Sequence, residues 1–405
     1  MAIQPSAADT SATLLPRHLA RTLQRLAEGF PVVAITGPRQ SGKTTLARQL
    51  FAELAFVSLE DPIERAFAED DPRGFLARFQ AGAVFDEAQR WPDLFSHLQL
   101  LVDQERQAGR FVLTGSQQFN LMAGVSQSLA GRVGLARLLP LALAERPAPD
   151  LQAWSSDHAI LRGGYPELLK PALRPQDWFS AYVATYLERD VRQLVRVQDL
   201  SRFQRFLRLC AGRTGQLLNL SNLATETGIS QSTASNWLAV LEASDVVFRL
   251  PPYFENFGKR LVKTPKLYLV DSGLACWLLG IHTPESLALH PLRGALFETL
   301  IVGEVLKARL NQGLAPELYF WRDNHGLEVD LLLASDNRLQ PIEVKSGQTI
   351  TRDLLKAACR APSAITAPWQ TPWLVYGGSE NQTRHAVEVI SWQHIGARLN
   401  PGCAS

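Results

Sequence analysis

The sequence predicts an α/β protein in three parts: a parallel sheet wrapped by helices, a helical middle segment, and a second α/β unit at the C-terminal end. Three observations carry this. Between Pro31 and about Leu139, short apolar runs (residues 32–36, 55–59, 83–85, 111–114 and 133–138) alternate with helical stretches. After Trp178 the pattern changes to long amphipathic helices, with Trp178, Tyr182 and Tyr186 spaced by four and Arg189, Arg192 and Arg196 nearby. Near Glu317 short strands return, and a helix follows through Leu354 to Cys359. Loop-like stretches at 147–156 and 171–175 punctuate the chain, and the expected divisions are 1–150, 151–285 and 286–405.

At 405 residues, 46% hydrophobic and 20% charged, the chain is too long for one ordinary core and too apolar to stay disordered. Cys210, Cys276, Cys359 and Cys403 lie far apart, without the paired spacing of a zinc site or a disulfide framework, and read as reduced structural thiols. No apolar run approaches the ~20 residues needed to span a bilayer, and residues 1–13 lack the pattern of a signal peptide, so a cytoplasmic location is expected. A net charge of +2 is too small to argue for nucleic acid by bulk electrostatics; any affinity for DNA has to come from local patches.

The first apolar run, Val32-Val-Ala-Ile-Thr36, leads into Gly37-Pro38-Arg39-Gln40-Ser41-Gly42-Lys43-Thr44, and Thr45-Leu-Ala-Arg-Gln-Leu50 opens a helix. Strand, glycine-bounded loop and helix are the context in which this spacing forms a phosphate-binding P-loop. Gly37 and Gly42 let the backbone curl so that its N–H groups face phosphate oxygens, reinforced by the positive end of the helix. Lys43 is expected to reach the β- and γ-phosphates of ATP, and Thr44 to hold Mg²⁺. Arg39 faces either a phosphate or a neighbouring acid.

Ala83-Val-Phe85 runs into Asp86-Glu87, which puts one carboxylate at a strand end for Mg²⁺ and a second beside it to polarise the attacking water. Phe111-Val-Leu-Thr-Gly-Ser116 is a further strand ending in hydroxyls, and Thr114 and Ser116 are candidates to sense the γ-phosphate.

Together, the P-loop, Asp86-Glu87, Leu113-Thr-Gly-Ser116, Leu129-Ala-Gly-Arg132 with Leu138-Leu-Pro-Leu141, Gly163-Gly-Tyr-Pro166 and Tyr186-Leu-Glu-Arg-Asp190 resemble a family of prokaryotic AAA+-type ATPases over nearly the whole chain. The resemblance implies a P-loop NTPase sheet with an extra strand between the P-loop and Asp86 strands, a winged-helix-like segment, a C-terminal domain of largely unknown function, and ATP hydrolysis in a homo-oligomeric assembly. It also makes Arg132 a candidate to complete a neighbour's site, against the alternative of a surface arginine or local salt bridge. Arg189 is a second candidate, although Glu188 and Asp190 flank it and can neutralise it.

In the middle segment, residues 217–241 read as a helix, a turn at Gly228 and a second helix capped by Ser230, resembling a helix-turn-helix. Leu223, Ala224, Ile229, Ala234, Trp237, Leu238 and Leu241 supply the apolar positions, and Gln231, Ser232, Thr233 and Asn236 would be exposed where such a helix meets bases. That helix carries no arginine or lysine for phosphates, so a rigid lid on the ATPase domain is the competing reading. Arg202, Arg205, Arg208, Arg213, Lys259, Arg260, Lys263 and Lys266 would form a backbone-binding stripe if they share a face.

At the C-terminal end, alternation on Ile342-Glu343-Val344-Lys345 turns Glu343 and Lys345 to one face, where Asp330 on the preceding strand can meet them. Two carboxylates and a lysine around one point suit metal-assisted phosphodiester hydrolysis, with Asp330 and Glu343 on Mg²⁺ and Lys345 orienting water. The order resembles the PD-(D/E)XK nuclease fold, with Glu298 matching its helix acid. Glu304 is expected on the helix surface and His325 in a loop. The expected activity is ATP hydrolysis in association with DNA; a nucleotide-switched binding protein with a silent C-terminal domain is the alternative.

Overall fold

The computed structural model describes residues 15–116, 128–187, 200–254, 264–323, 326–335, 337–359, 365 and 367–400. Among these, the first sheet contains β1 (Val32–Thr36), β2 (Ala55–Ser58), β3 (Ala83–Asp86), β4 (Phe111–Thr114) and β5 (Val133–Arg137), in the order β2-β3-β4-β1-β5, and its pairings are parallel. The strand β4 thus lies between the P-loop strand and the Asp86 strand, as the resemblance implies. All five residues of β1 are buried, because helices cover both faces and a central parallel strand has no wet side. Leu19, Leu23 and Leu46 pack on one face, Phe75, Trp91 and Phe95 on the other.

In the middle segment, the helices Leu220–Thr227 and Gln231–Ala243 are joined through Gly228, which is left-handed (φ 75°). Ser230 caps the second helix by accepting from the Thr233 N–H at 3.1 Å, an interaction worth about 1 kcal/mol. Preceding and following elements complete the unit: the helix Leu200–Gly212, β6 (Gln216–Leu217), β7 (Val247–Leu250) and β8 (Lys266–Leu269), with β8 antiparallel to both other strands. Leu223, Ala234, Trp237, Leu238 and Leu241 are buried as the periodicity predicts, while Gln231, Ser232 and Asn236 are exposed. Trp178 and Tyr182 are core residues, stacked at 4.9 Å. The side chain of Tyr186, and all of Arg189, Arg192 and Arg196, lie outside the described residues.

The third sheet contains β9 (Leu318–Arg322), β10 (Glu328–Ser335), β11 (Arg338–Lys345), β12 (Trp373–Tyr376), β13 (Gln382–Arg384) and β14 (Val387–Ser391), in the order β13-β14-β12-β11-β10-β9. The long helix Arg293–Asn311 packs beneath it and is buried along most of its length. One apolar cluster runs from Leu139 and Leu143 through Trp237 and Phe297 to Ile342 and Ile395, so the middle and C-terminal segments share a core.

Two polar expectations fail here. Glu304 is not on the surface: it is 1% exposed, accepts from the Leu143 N–H at 2.7 Å and pairs with Lys307 at 2.8 Å, while Lys307 also donates to the Leu141 carbonyl. The helix crosses the end of the first domain there, and a buried carboxylate needs these partners. Lys266 does not join a basic surface stripe; it is 4% exposed and bridges Glu298 (3.1 Å) and Glu328 (2.5 Å). Lys259, Arg260, Lys263 and His325 lie outside the described residues. No helix among the described residues is long and apolar enough to cross a membrane.

Candidate functional site

The P-loop leaves β1 at Gly37, whose φ of +141° disfavours any side chain; a Cβ there would lie 2.1 Å from the Leu138 carbonyl oxygen. The loop therefore curls directly against the exit of β5. Gly42, at φ +95°, is the residue before the helix Lys43–Leu50. Behind the loop, the buried Arg17 donates to the Ser41 carbonyl and to the Leu139 carbonyl, both at 2.7 Å, and pairs with Glu145 at 3.2 Å. Arg17 and Glu145 were not legible as site residues, because a single arginine some twenty residues upstream of a glycine loop carries no local pattern.

Lys43 is buried and donates to the carbonyls of Gly37 (3.0 Å) and Pro38 (2.7 Å). Burial pulls its ammonium down to about 8, against the opposing charges of Glu87, Asp245 and Asp86. The Thr44 hydroxyl donates to Asp86 Oδ1 at 2.7 Å, and the Thr114 hydroxyl donates to the same oxygen. Next to it, Glu87 Oε2 accepts from Ser116 Oγ at 3.0 Å and from Gln89 Nε2 at 2.5 Å. Glu87 is itself left-handed (φ 54°), which turns it off the β3 axis toward the loop.

Of these side chains, Lys43, Thr44 and Glu87 border a cavity of about 740 Å³, whose lining also includes Arg39, Gln40, Gly42 and Thr45 of the P-loop region, Glu60 after β2, and Pro166, Glu167 and Trp178 of the middle segment. Pro166 belongs to the Gly163-Gly-Tyr-Pro motif, which is anchored by Gly164 N–H donating to Asp271 at 2.6 Å and Leu141 N–H donating to the Gly164 carbonyl at 2.7 Å. The middle segment thus roofs the loop of the first domain. The donor set fits a nucleotide triphosphate with Mg²⁺: a curled backbone that a Cβ would fill, a lysine at its centre, and a hydroxyl–carboxylate pair within one hydrogen bond.

Arg132 is not brought to this cavity. It precedes β5, whereas Thr36 and the P-loop lie level with Arg137 at the other end of the strand, roughly 16 Å away at about 3.3 Å per residue. Its guanidinium forms a two-point pair with Asp103, at 2.6 and 2.9 Å.

The C-terminal candidates do come together. β10 and β11 are antiparallel, with Leu331 opposite Ile342; Lys345 Nζ lies 3.2 Å from Asp330 and 2.7 Å from Glu343. Asp330 also accepts from the Val344 N–H at 2.9 Å. Glu298, on the helix below, is held by Lys266 and by the Tyr268 hydroxyl, both from β8 of the middle segment. Burial and the nearby Asp330 charge push Glu343 up to about 7; burial also raises Glu298. Lys345 is shifted upward, Asp330 and Glu343 outweighing burial. Lysines stand between the acids, and among the described residues no group of three or more His, Cys, Asp or Glu is disposed to hold a metal ion.

Residues 29–146 match the model of an AAA domain, and residues 154–285 and 293–395 match two domains of unknown function (DUF8612 and DUF4143). An uncharacterized protein of Mycobacterium tuberculosis, Rv2008c, is 36% identical over 349 residues, spanning 84% of this chain and 76% of the relative; Mb2031c of Mycobacterium bovis aligns equally well. Among solved structures, the Walker-type ATPase PABY2304 of Pyrococcus abyssi overlaps 64% of this chain and 94% of its own, at 15% identity and a TM-score of 0.44. With a P-loop built on a five-stranded parallel sheet, a match to an AAA domain and this extent of identity, the chain belongs to one family with these mycobacterial proteins.

Proposed function

We propose that the protein binds ATP with Mg²⁺ and hydrolyses it, and that it does so in association with DNA. The observation that carries the first part is the meeting of three strand ends over the P-loop: Thr44 and Thr114 share Asp86, and Ser116 and Gln89 orient Glu87. Thr44 and Asp86 are the residues to hold Mg²⁺, which when bound offsets phosphate charge. Lys43 exchanges the Gly37 and Pro38 carbonyls for β- and γ-phosphate oxygens, and backbone N–H groups of residues 38–44 surround the rest. Glu87 Oε1 or Oε2 takes the proton of the attacking water, its orientation held by Ser116 and Gln89. Arg132 is available to the site of a neighbouring copy only, once Asp103 releases it, which fits action as a homo-oligomer.

Support for DNA comes from the winged-helix-like unit, in which the helix Gln231–Ala243 exposes Gln231, Ser232 and Asn236, while Arg202, Arg205 and Arg208 are exposed on the helix Leu200–Gly212. A second reading assigns metal-dependent strand cleavage to Asp330, Glu343, Lys345 and Glu298; the observation favouring it is their convergence on one face from two strands and a helix. The deciding experiment measures ATP hydrolysis by the full chain with and without linear, nicked and branched duplexes, alongside strand cleavage in Mg²⁺ or Mn²⁺. Turnover stimulated by DNA is expected. Turnover indifferent to every DNA shape turns the reading toward a nucleotide-switched protein-binding module, and uncut substrates leave the C-terminal domain without a catalytic role.

A further inference from the structure

Asp245 is the turn residue between the second helix of the helix-turn-helix, Gln231–Ala243, and β7, and it is left-handed at φ 56°. It is 1% exposed. A buried carboxylate in that position has a cost, and one partner covers only half of it: Arg137 donates to Oδ1, while Oδ2 is buried without a hydrogen-bond partner among the described residues. Arg137 is the last residue of β5, level with Thr36. The next residue, Leu138, donates its N–H to the Thr36 carbonyl at 2.8 Å and carries the carbonyl on which Gly37 rests. The Asp245 carboxylate is therefore tied to the base of the P-loop through a single residue, and its charge acts on Lys43.

We propose that Asp245 is a positioning residue of the nucleotide site supplied by the middle segment, and that nucleotide phosphate, by opposing its charge, loosens the turn that seats the helix Gln231–Ala243. The proposal rests on the ATP reading above. Phosphate and Asp245 are both anions that compete for two cations, Lys43 at the start of the helix after the P-loop and Arg137 at the end of β5, so phosphate bound at the loop weakens the hold on Asp245. By linkage the coupling is reciprocal: whatever the nucleotide does to the turn, the turn does to nucleotide affinity.

Asp245→Asn tests this, because asparagine also tolerates the left-handed turn and keeps the side-chain shape while removing the charge. The measurements are the affinity for a fluorescent non-hydrolysable ATP analogue with Mg²⁺, and hydrogen exchange of residues 241–250 with and without that analogue. In the wild type, the analogue is expected to speed exchange in this segment at least about threefold; in Asp245→Asn that response disappears and the analogue binds about five- to tenfold tighter, the lower end of ordinary coupling between sites. A purely structural tie predicts lower thermal stability with unchanged affinity, and that result overturns the proposal, as does an exchange response that survives the substitution. If Asp245→Asn does not fold, the neutral pair Arg137→Gln with Asp245→Asn keeps a hydrogen bond across the contact and is expected to lose the exchange response, while its affinity is not used as a readout because Arg137→Gln also removes a cation from the phosphate. Failure of the wild type to bind the analogue removes the ATP reading and this proposal together, whereas binding without a response in residues 241–250 removes the proposal alone.

Discussion

The two charged sites of this protein differ in how their lysines are answered. At the P-loop, Lys43 is held by two backbone carbonyls and faces a cavity of about 740 Å³, with the carboxylates Asp86 and Glu87 accepting from hydroxyls and an amide. In the C-terminal cluster, Lys345 sits against Asp330 and Glu343, and Lys266 against Glu298 and Glu328, so charge is answered by charge inside the fold. Carbonyl partners are neutral and readily exchanged for a phosphate; ion pairs in a buried setting are costly to open from one side. The first arrangement suits an anion arriving from outside, whereas in the second Lys266 of β8 is tied to Glu298 and Glu328 of the C-terminal segment.

The contrast is broken most directly at Lys43. Lys43→Ala is expected to abolish ATP binding and turnover, with affinity at least about 100-fold lower from the loss of a charged contact to two phosphates, and without loss of stability, since burial already disfavours the ammonium. Equilibrium binding and thermal unfolding check both halves. Glu87→Gln should retain ATP while slowing turnover by roughly 10²- to 10⁴-fold, the usual contribution of a positioned base; single-turnover hydrolysis beside a binding titration separates the two.

The C-terminal cluster should answer to stability instead. Lys266→Met leaves Glu298 and Glu328 without their shared cation and is expected to cost roughly 3 kcal/mol, read from denaturant unfolding, with ATP turnover close to wild type because the cluster is remote from the P-loop. A stable variant would mean that the acids re-pair or protonate easily. The smallest effect is on pH dependence. Glu343 titrates near 7 in the folded protein, above its ordinary value, so the folded state binds the extra proton. Its contribution to stability is then fully present below about pH 4.5 and is lost as pH rises through about 7. Glu343→Gln should flatten the stability profile across that window, measured as the difference in melting temperature between pH 5 and pH 8.

The helix-turn-helix and the roof of the cavity show how far local pattern reaches. Gly228 and Ser230 mark the turn and the cap because backbone conformation and a side-chain hydrogen bond within three residues decide them. The aromatic spacing of Trp178 and Tyr182 is legible as core, yet nothing in it says that Trp178 also borders the cavity over the P-loop, since that depends on the Gly163–Tyr165 turn being pinned to Asp271, more than a hundred residues later.

By itself, the sequence determined the phosphate loop, the Asp86-Glu87 strand end, the hydroxyls at Thr114 and Ser116, and the shared face of Asp330, Glu343 and Lys345. Each follows from glycine placement or strand alternation within a few residues. The tertiary structure decided the buried charges: Arg17 with Glu145, Glu304 with Lys307 and the Leu143 N–H, Lys266 between two acids, and Arg137 with Asp245. A charged residue looks alike in sequence whether it is solvated or buried, and only a partner brought from a distant segment makes burial tolerable.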